Sequence, residues 1–208
     1  MLDYSYRIKG TTSSGCFDIN GFEPTEADFF RKTDGEISAI GLDDEVTAGH
    51  FSLVYVELER AIGYFDLADL LDSDSESADY CPIIRRSGFS SFLARKLDLV
   101  GTCGDLLIID KIALFPDFRG RGLGKIAIEK IIQCFGDKAA VVALIPVPLQ
   151  FSGRREDVHW IHDMRFELFR RKQDKDVAQK HLVKFYESIG FTKIGKTDIM
   201  AKAIRREE

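Results

Sequence analysis

The sequence predicts a mixed α/β fold, one sheet with helices packed on it, and three observations in the middle of the chain carry that reading. Leu106-Leu-Ile-Ile-Asp-Lys-Ile-Ala-Leu-Phe115 is a mostly apolar run bounded by Gly104 and Pro116, as a buried strand should be. Leu123, Ile126, Ala127, Ile131, Ile132 and Phe135 then recur at helical spacing, with Glu129, Lys130 and Gln133 on the other side. Ala139-Ala-Val-Val-Ala-Leu-Ile145 follows as a second buried strand. Residues 106 to 145 therefore make a strand, helix, strand unit whose strands run parallel across a right-handed connection. Gly136 falls where such a helix ends in a left-handed residue.

The flanking elements follow in order. Asp3 to Lys9, Glu36 to Leu42 and Val46 to Leu58 carry enough Ile, Val, Tyr and Phe to be strands. A polar segment near 66–100 separates them from the central unit. Within it Asp72-Ser-Asp-Ser-Glu-Ser-Ala-Asp79 holds four acids and reads as a solvated loop. A second break spans Gln150 to Lys180. Ala178, Leu182, Phe185 and Ile189 then give an amphipathic helix that stops at Gly190, and Phe191 to Ile204 is a closing strand or hairpin. With no internal repeat and no Pro-rich or Gly/Ser-rich linker, residues 1–208 read as a single domain.

Composition narrows the function classes. The 208 residues are 45% hydrophobic and 30% charged, with five Pro and 17 Gly, which excludes collagen-like and low-complexity chains. The four cysteines show no CxxC spacing, so zinc knuckles, redox motifs and a disulfide framework are not expected. A net charge of −5 offers no global positive field, so no general nucleic-acid binding is expected. The first residues lack the basic start and apolar run of a signal peptide. The longest apolar stretch, Ala139 to Ile145, is far short of the roughly 20 residues that cross a bilayer. The expectation is a cytoplasmic protein with no membrane contact.

Between the first central strand and its helix stands Arg119-Gly120-Arg121-Gly122-Leu123-Gly124-Lys125. Alternate glycines let the backbone approach a ligand, and the helix that follows offers unpaired N–H groups and a partial positive charge. Arg119, Arg121 and Lys125 add cations, so the loop suits an anion, above all a phosphate; the plainer alternative is a tight turn with a solvated basic surface. A dinucleotide fingerprint fails, because the third glycine position falls on Lys125 or Ala127. The P-loop pattern fails as well, because Gly124-Lys125 is followed by Ile126.

Arg119-x-x-Gly122-x-Gly124, preceded by Leu114-Phe-Pro-Asp-Phe118, resembles the R/Q-x-x-G-x-G/A signature of the GNAT superfamily of N-acetyltransferases. Leu182-Val-Lys-Phe-Tyr-Glu-Ser-Ile-Gly-Phe191 resembles that family's fourth-helix motif. The resemblance covers residues 105–149 and 178–203. It implies a mostly antiparallel sheet of six to seven strands with a central splayed parallel pair. It also implies that acetyl-coenzyme A is the co-substrate and that a small-molecule or peptide amine is the acceptor, attacked directly in a ternary complex. The N–H groups of Arg119, Gly120, Arg121, Gly122, Leu123, Gly124 and Lys125 would hold the pyrophosphate, and the backbones of Ala113 and Leu114 would pair with the pantetheine arm. Pro146 and Pro148 suit the splay, since proline donates no ladder hydrogen bond.

Two residues are candidates for the proton transfers. The resemblance implies that Tyr186 is the acid that protonates the departing thiolate; the alternative is a core aromatic beside Phe185, although Tyr186 lies off the centre of the apolar stripe. Asp110 is the only carboxylate in an apolar strand, and alternation sets it with Ile108, Ile112 and Leu114, so it is either the base or a partner in a salt bridge. His159 and His162 have no third ligand at metal spacing, so no metal is expected. The family crosses from its fifth strand to its fourth helix in fewer residues. The stretch 150–180, with Trp160, Phe166 and Phe169, is therefore an insertion expected to serve as lid, specificity loop or homodimer contact. Gln179 stands where relatives carry an asparagine. A different class of function keeps the cofactor fold without the chemistry: a coenzyme A-binding or protein-interaction module.

Overall fold

The computed structural model describes residues 5–14, 24–40, 45–101, 103–151, 164 and 174–205. Three strands come first: β1 (Ser5–Ser14), β2 (Phe30–Ile40) and β3 (Glu45–Val56). A helical excursion follows, made of α1 (Leu58–Ala61), α2 (Leu67–Asp72), a 3-10 turn over Ala78–Ile83, the short hairpin β4 (Ile84–Arg85) and β5 (Gly88–Phe89), and α3 (Ser91–Leu97). The chain then returns to the sheet as β6 (Asp105–Leu114), α4 (Leu123–Phe135) and β7 (Ala139–Leu144). It closes with α5 (Lys175–Ser188), β8 (Thr192–Lys193) and β9 (Met200–Ala203).

The main sheet has seven strands in the order β1-β2-β3-β6-β7-β9-β8. Every neighbouring pair is antiparallel except β6 and β7, which are parallel. The fold is therefore the mixed sheet flanked by helices that the sequence predicts, mostly antiparallel as the resemblance implies. Alternation along the strands builds two cores. Val54, Val56, Leu106, Ile108, Val141 and Ala143 face the helical excursion, where Leu67, Leu70, Leu71, Ile83 and Leu93 are buried. Phe51, Leu53, Leu107, Ile109, Val142 and Leu144 face Leu123, Ala127, Ile128 and Ile131 of α4 and Tyr186 of α5.

Several expectations need correction. The segment 72–79 is a solvated loop only in part: Asp72, Ser73, Ser75 and Asp79 are exposed, but Lys32 Nζ on β2 lies 2.6 Å from Asp74 and 2.5 Å from Glu76, and the buried Ser77 hydroxyl donates to the Leu71 carbonyl at 2.7 Å. One lysine draws two of the four acids, Asp74 and Glu76, onto the sheet. The surrounding segment likewise folds into α2, the 3-10 turn, the β4–β5 hairpin and α3, because Leu67, Leu70, Leu71, Ile83, Ile84 and Leu93 bury themselves despite their polar neighbours. Gly136 ends α4 at φ −94°, outside the left-handed region; a Cβ there would sit 2.5 Å from the Ile132 carbonyl oxygen, so glycine is required by the closeness of the last turn. On α4, Ile128 is buried and Ile126 is exposed, the reverse of the face expected for Ile126. The closing segment is the antiparallel pair β8–β9. Among the described residues no helix is long and apolar enough to cross a membrane.

Candidate active site

The parallel pair holds together only over its first half. Asp105 to Ile108 pair with Ala139 to Ala143, and beyond that point β6 runs on to Leu114 while β7 ends at Leu144. Ile145-Pro-Val-Pro148 leads away, and Pro146 and Pro148 bring no N–H to any ladder. β3 still covers the other edge of β6, with Gly49 to Ser52 opposite Leu114 to Lys111. The edge of β6 facing β7 is therefore without a strand partner from Ile109 onward, among the described residues.

A bulge sharpens this site. Ser52 pairs with Lys111 but Leu53 pairs with Ile109, so Asp110 is an extra residue in β6 with no opposite number. The bulge reverses the alternation. Ile108 belongs to the core under the excursion, whereas Ile112 and Leu114 pack with the core under α4 and α5, so the four residues do not share the face that plain alternation assigns them. Asp110 and Lys111, neighbours in sequence, instead form an ion pair at 2.5 Å, with the Lys111 side chain only 10% exposed. The sequence does carry a signal for this. Opposite charges side by side in an apolar strand would each be buried on a different face unless a bulge brought them together.

Both predicted catalytic residues line one cleft of about 390 Å³ at the splay, together with Lys111, Tyr80, Asp79 and Glu76. Ile145, Val147, Leu149 and Phe151 form its apolar wall. Tyr186 is 7% exposed, more buried than Phe185, and so belongs to the centre of the buried face of α5 rather than to its margin. Its ring meets Phe185 at 5.2 Å and Phe191 at 5.7 Å, and burial pushes its hydroxyl pKa well above the ordinary tyrosine value. Tyr80 is also raised, by burial first and then by the charge of Asp110, and its hydroxyl meets the Ile145 backbone. Both phenols are thus held neutral. Glu76 is held below the usual carboxylate range: burial opposes this, but the hydrogen bonds from Lys32 and Ser75 prevail. Sequence reasoning missed Lys111, Tyr80, Glu76 and Asp79, three of which reach the cleft from the excursion, where no motif marks them.

The glycine loop lies behind this cleft rather than in its lining. Gly120 and Gly122 adopt φ +72° and +80°, the left-handed region, and open space lies beyond the position of a Cβ at each. Gly122 is the N-cap of α4 and no side chain caps the helix, so the N–H groups of Leu123 and Gly124 remain available, whereas the Lys125 N–H donates to the Gly122 carbonyl at 3.1 Å and the Arg119 N–H to the Pro116 carbonyl at 3.2 Å. Gly124 serves packing: a Cβ there would lie 3.3 Å from the Phe185 ring. Phe185 in turn stacks edge-on against Tyr186, so one aromatic pair joins the loop to the cleft. Arg119 is half-buried, its pKa lowered by that burial, and its Nε donates to the Leu114 carbonyl at 2.8 Å, tying the loop to the end of β6. Arg121 and Lys125 are exposed, with Lys125 3.9 Å from Glu129. The Leu123 side chain is buried in the core, so only its backbone can serve a ligand.

Ala113 is buried beside Met164, Phe115 and Leu149, which puts one residue of the 150–180 insertion against the splayed end of β6. The readings of Trp160, Phe166, Phe169, His159 and His162 lie outside the described residues. α5 begins at Asp174, whose carboxylate accepts from the N–H groups of Asp176 and Val177. Gln179 is partly exposed on α5, and His181 is exposed there. No protein-family model, no curated protein and no solved structure matches the chain.

Proposed function

We propose that the chain is an acetyl-coenzyme A-dependent N-acetyltransferase that acts on a primary amine. The observation that carries this reading is the splay of β6 from β7, with a cleft holding Tyr186 and Asp110 on one side of Phe185 and an uncapped glycine loop on the other. The residues present fit the co-substrate. Left-handed Gly120 and Gly122 leave the backbone open, the α4 N-terminus favours an anion, and Arg121 and Lys125 stand free of the core to face phosphates. Past Ile109 the edge of β6 that faces away from β3 has no strand partner among the described residues, and at Ala113 and Leu114 it suits an amide-bearing arm through the Leu114 N–H, the Leu114 carbonyl being held by Arg119. When bound, the co-substrate supplies an acyl group on a good leaving thiolate.

The chain's own groups then divide the proton work. Tyr186, kept neutral by burial, holds a proton at its hydroxyl for the departing sulfur. Asp110, poised at the bulge, accepts a proton from the acceptor ammonium, directly or through water. Ile145, Val147 and Leu149 give the cleft an apolar wall beside these two groups. One observation favours the second reading, a binding module without chemistry: the Asp110 carboxylate is already engaged by Lys111 at 2.5 Å. Calorimetry with acetyl-coenzyme A, paired with a thiol-release assay over an amine library, separates the two. Binding with turnover supports the enzyme, binding without turnover on any amine supports a coenzyme A-binding module, and no binding defeats both of these and leaves the protein-interaction module.

A further inference from the structure

A second cleft, of about 410 Å³, opens at the opposite end of β6, between the strands and the C-terminal end of α4. Asp105 and Asp110 are five residues apart on that strand, roughly 17 Å at strand rise, so the two clefts are separate. The floor is Tyr55, flanked by Leu53 and Leu107, and the rim carries Glu59 and Lys138. At one side of Tyr55, the Arg31 guanidinium lies 4.3 Å above the ring centroid. At the other, the Tyr55 hydroxyl donates to Asp105 at 2.9 Å.

Each of these two charges has capacity left over. Asp105 is buried, at 6% exposure, and takes hydrogen bonds from Tyr55 and from the Glu59 N–H at 3.0 Å, but among the described residues it meets no cation. Buried carboxylates ordinarily have one. Arg31 Nε lies 3.0 Å from Glu57 as an ion pair without hydrogen-bond geometry, and neither Nη group of its fork has a hydrogen-bond partner among the described residues. Glu57 is shared with Arg60, whose guanidinium lies 2.6 Å from its other oxygen. Burial, then the Asp105 charge, raise the Tyr55 pKa, so its hydroxyl remains a donor and keeps the carboxylate fixed.

We infer that this cleft binds a small zwitterion, a free α-amino acid, with its carboxylate on the Arg31 Nη fork and its ammonium on Asp105 and Glu59. The two protein charges flank one tyrosine, Arg31 over its ring face and Asp105 at its hydroxyl, and an ammonium and carboxylate on adjacent carbons, with a hydrogen bond at each end, can bridge them. Arginine forks read carboxylates in two-point geometry, and a desolvated carboxylate rewards an ammonium more than a neutral group does. The Tyr55 floor and Leu53 leave an apolar surface for a side chain. The inference does not depend on the acetyltransferase reading, since no residue is shared with the splayed cleft.

The test is calorimetry of the full chain, without coenzyme A, against the twenty common free amino acids, each with its decarboxylated amine and its deaminated acid as separate arms. At least one amino acid should bind, and its amine and acid should each bind at least roughly tenfold more weakly, the loss of about one charged hydrogen bond. Asp105→Asn and Arg31→Gln should each weaken binding by a similar factor, and amide shifts on titration should centre on Tyr55 and Glu59. Because Asp105 is buried and its variant could fail to fold, the partly exposed Arg31 variant carries the test alone in that case. No binding by any amino acid, equal binding by an amine or acid arm, or an affinity unmoved by Arg31→Gln overturns the inference.

Discussion

At its start β6 is flanked on both edges: Leu106 to Ile108 pair with Val56 to Val54 on one side and with Val141 to Ala143 on the other, and their side chains are fully buried in two cores. Five residues on, the same strand keeps only β3, carries a bulge and lines an open cleft with a charged pair. Backbone groups that the first half uses to close the sheet are left over in the second half. The contrast shows how one strand can anchor a core and expose an unpartnered edge: the ladder on one side is withdrawn once enough of it exists to fix the register.

Perturbations of each end should separate the two roles. The largest effect belongs to the closed end, where Ile108→Ala removes a fully buried side chain in a layer with little freedom to collapse. Denaturant unfolding should show a loss of about 2–5 kcal/mol, and coenzyme A affinity in the folded fraction should be unchanged. At the open end, Tyr186→Phe keeps the ring contacts and removes one hydroxyl. Turnover should fall roughly 10²-fold with the unfolding midpoint nearly constant, and an unaltered rate would make Tyr186 a core aromatic only.

Gly122→Val comes next. It forces a β-branched residue into a left-handed conformation at a cost of about 1–2 kcal/mol, but into open space, so the fold should survive while coenzyme A affinity drops by at least about tenfold. Equal affinity by calorimetry would detach the loop from the ligand. The smallest effect concerns the excursion that closes the cleft. Glu76 has its folded pKa below the unfolded value, so its contribution to stability is complete above the ordinary glutamate value of about 4.3 and is lost as pH falls through the lowered one. Stability of the native chain should decline across that acidic window, and Glu76→Gln should flatten that part of the profile.

The glycine loop and the tyrosine of α5 were legible because each is a local requirement. Positive φ at Gly120 and Gly122 is a property of those residues, and the periodicity of 182–191 is a property of one helix. Asp110 was legible as an exception in an apolar strand, yet its surroundings were not. Register is a relation between two strands, so the slip between Ser52 and Leu53, which turns Lys111 toward Asp110 and returns Ile112 to the other core, has no signature in β6 alone beyond two adjacent charges. Likewise the acids of 72–79 look solvated until Lys32, some forty residues earlier, is seen to hold Asp74 and Glu76.

The sequence by itself determined the elements with strong periodicity: the parallel pair, the helix that crosses between its strands, the turn that precedes that helix and the helix bearing Tyr186. Hydrophobic spacing and glycine placement act over a few residues, and a few residues suffice to read them. Only the tertiary structure decided which side chains share a cavity. The cleft takes Tyr80 from a 3-10 turn, Lys111 from a bulged strand and Tyr186 from a helix some hundred residues beyond Tyr80, and the second cleft takes Arg31, Tyr55 and Asp105 from three different strands. Such groupings arise from burial of apolar surface far from the groups themselves. Packing forces have no sequence range, so the chemistry they assemble has none either.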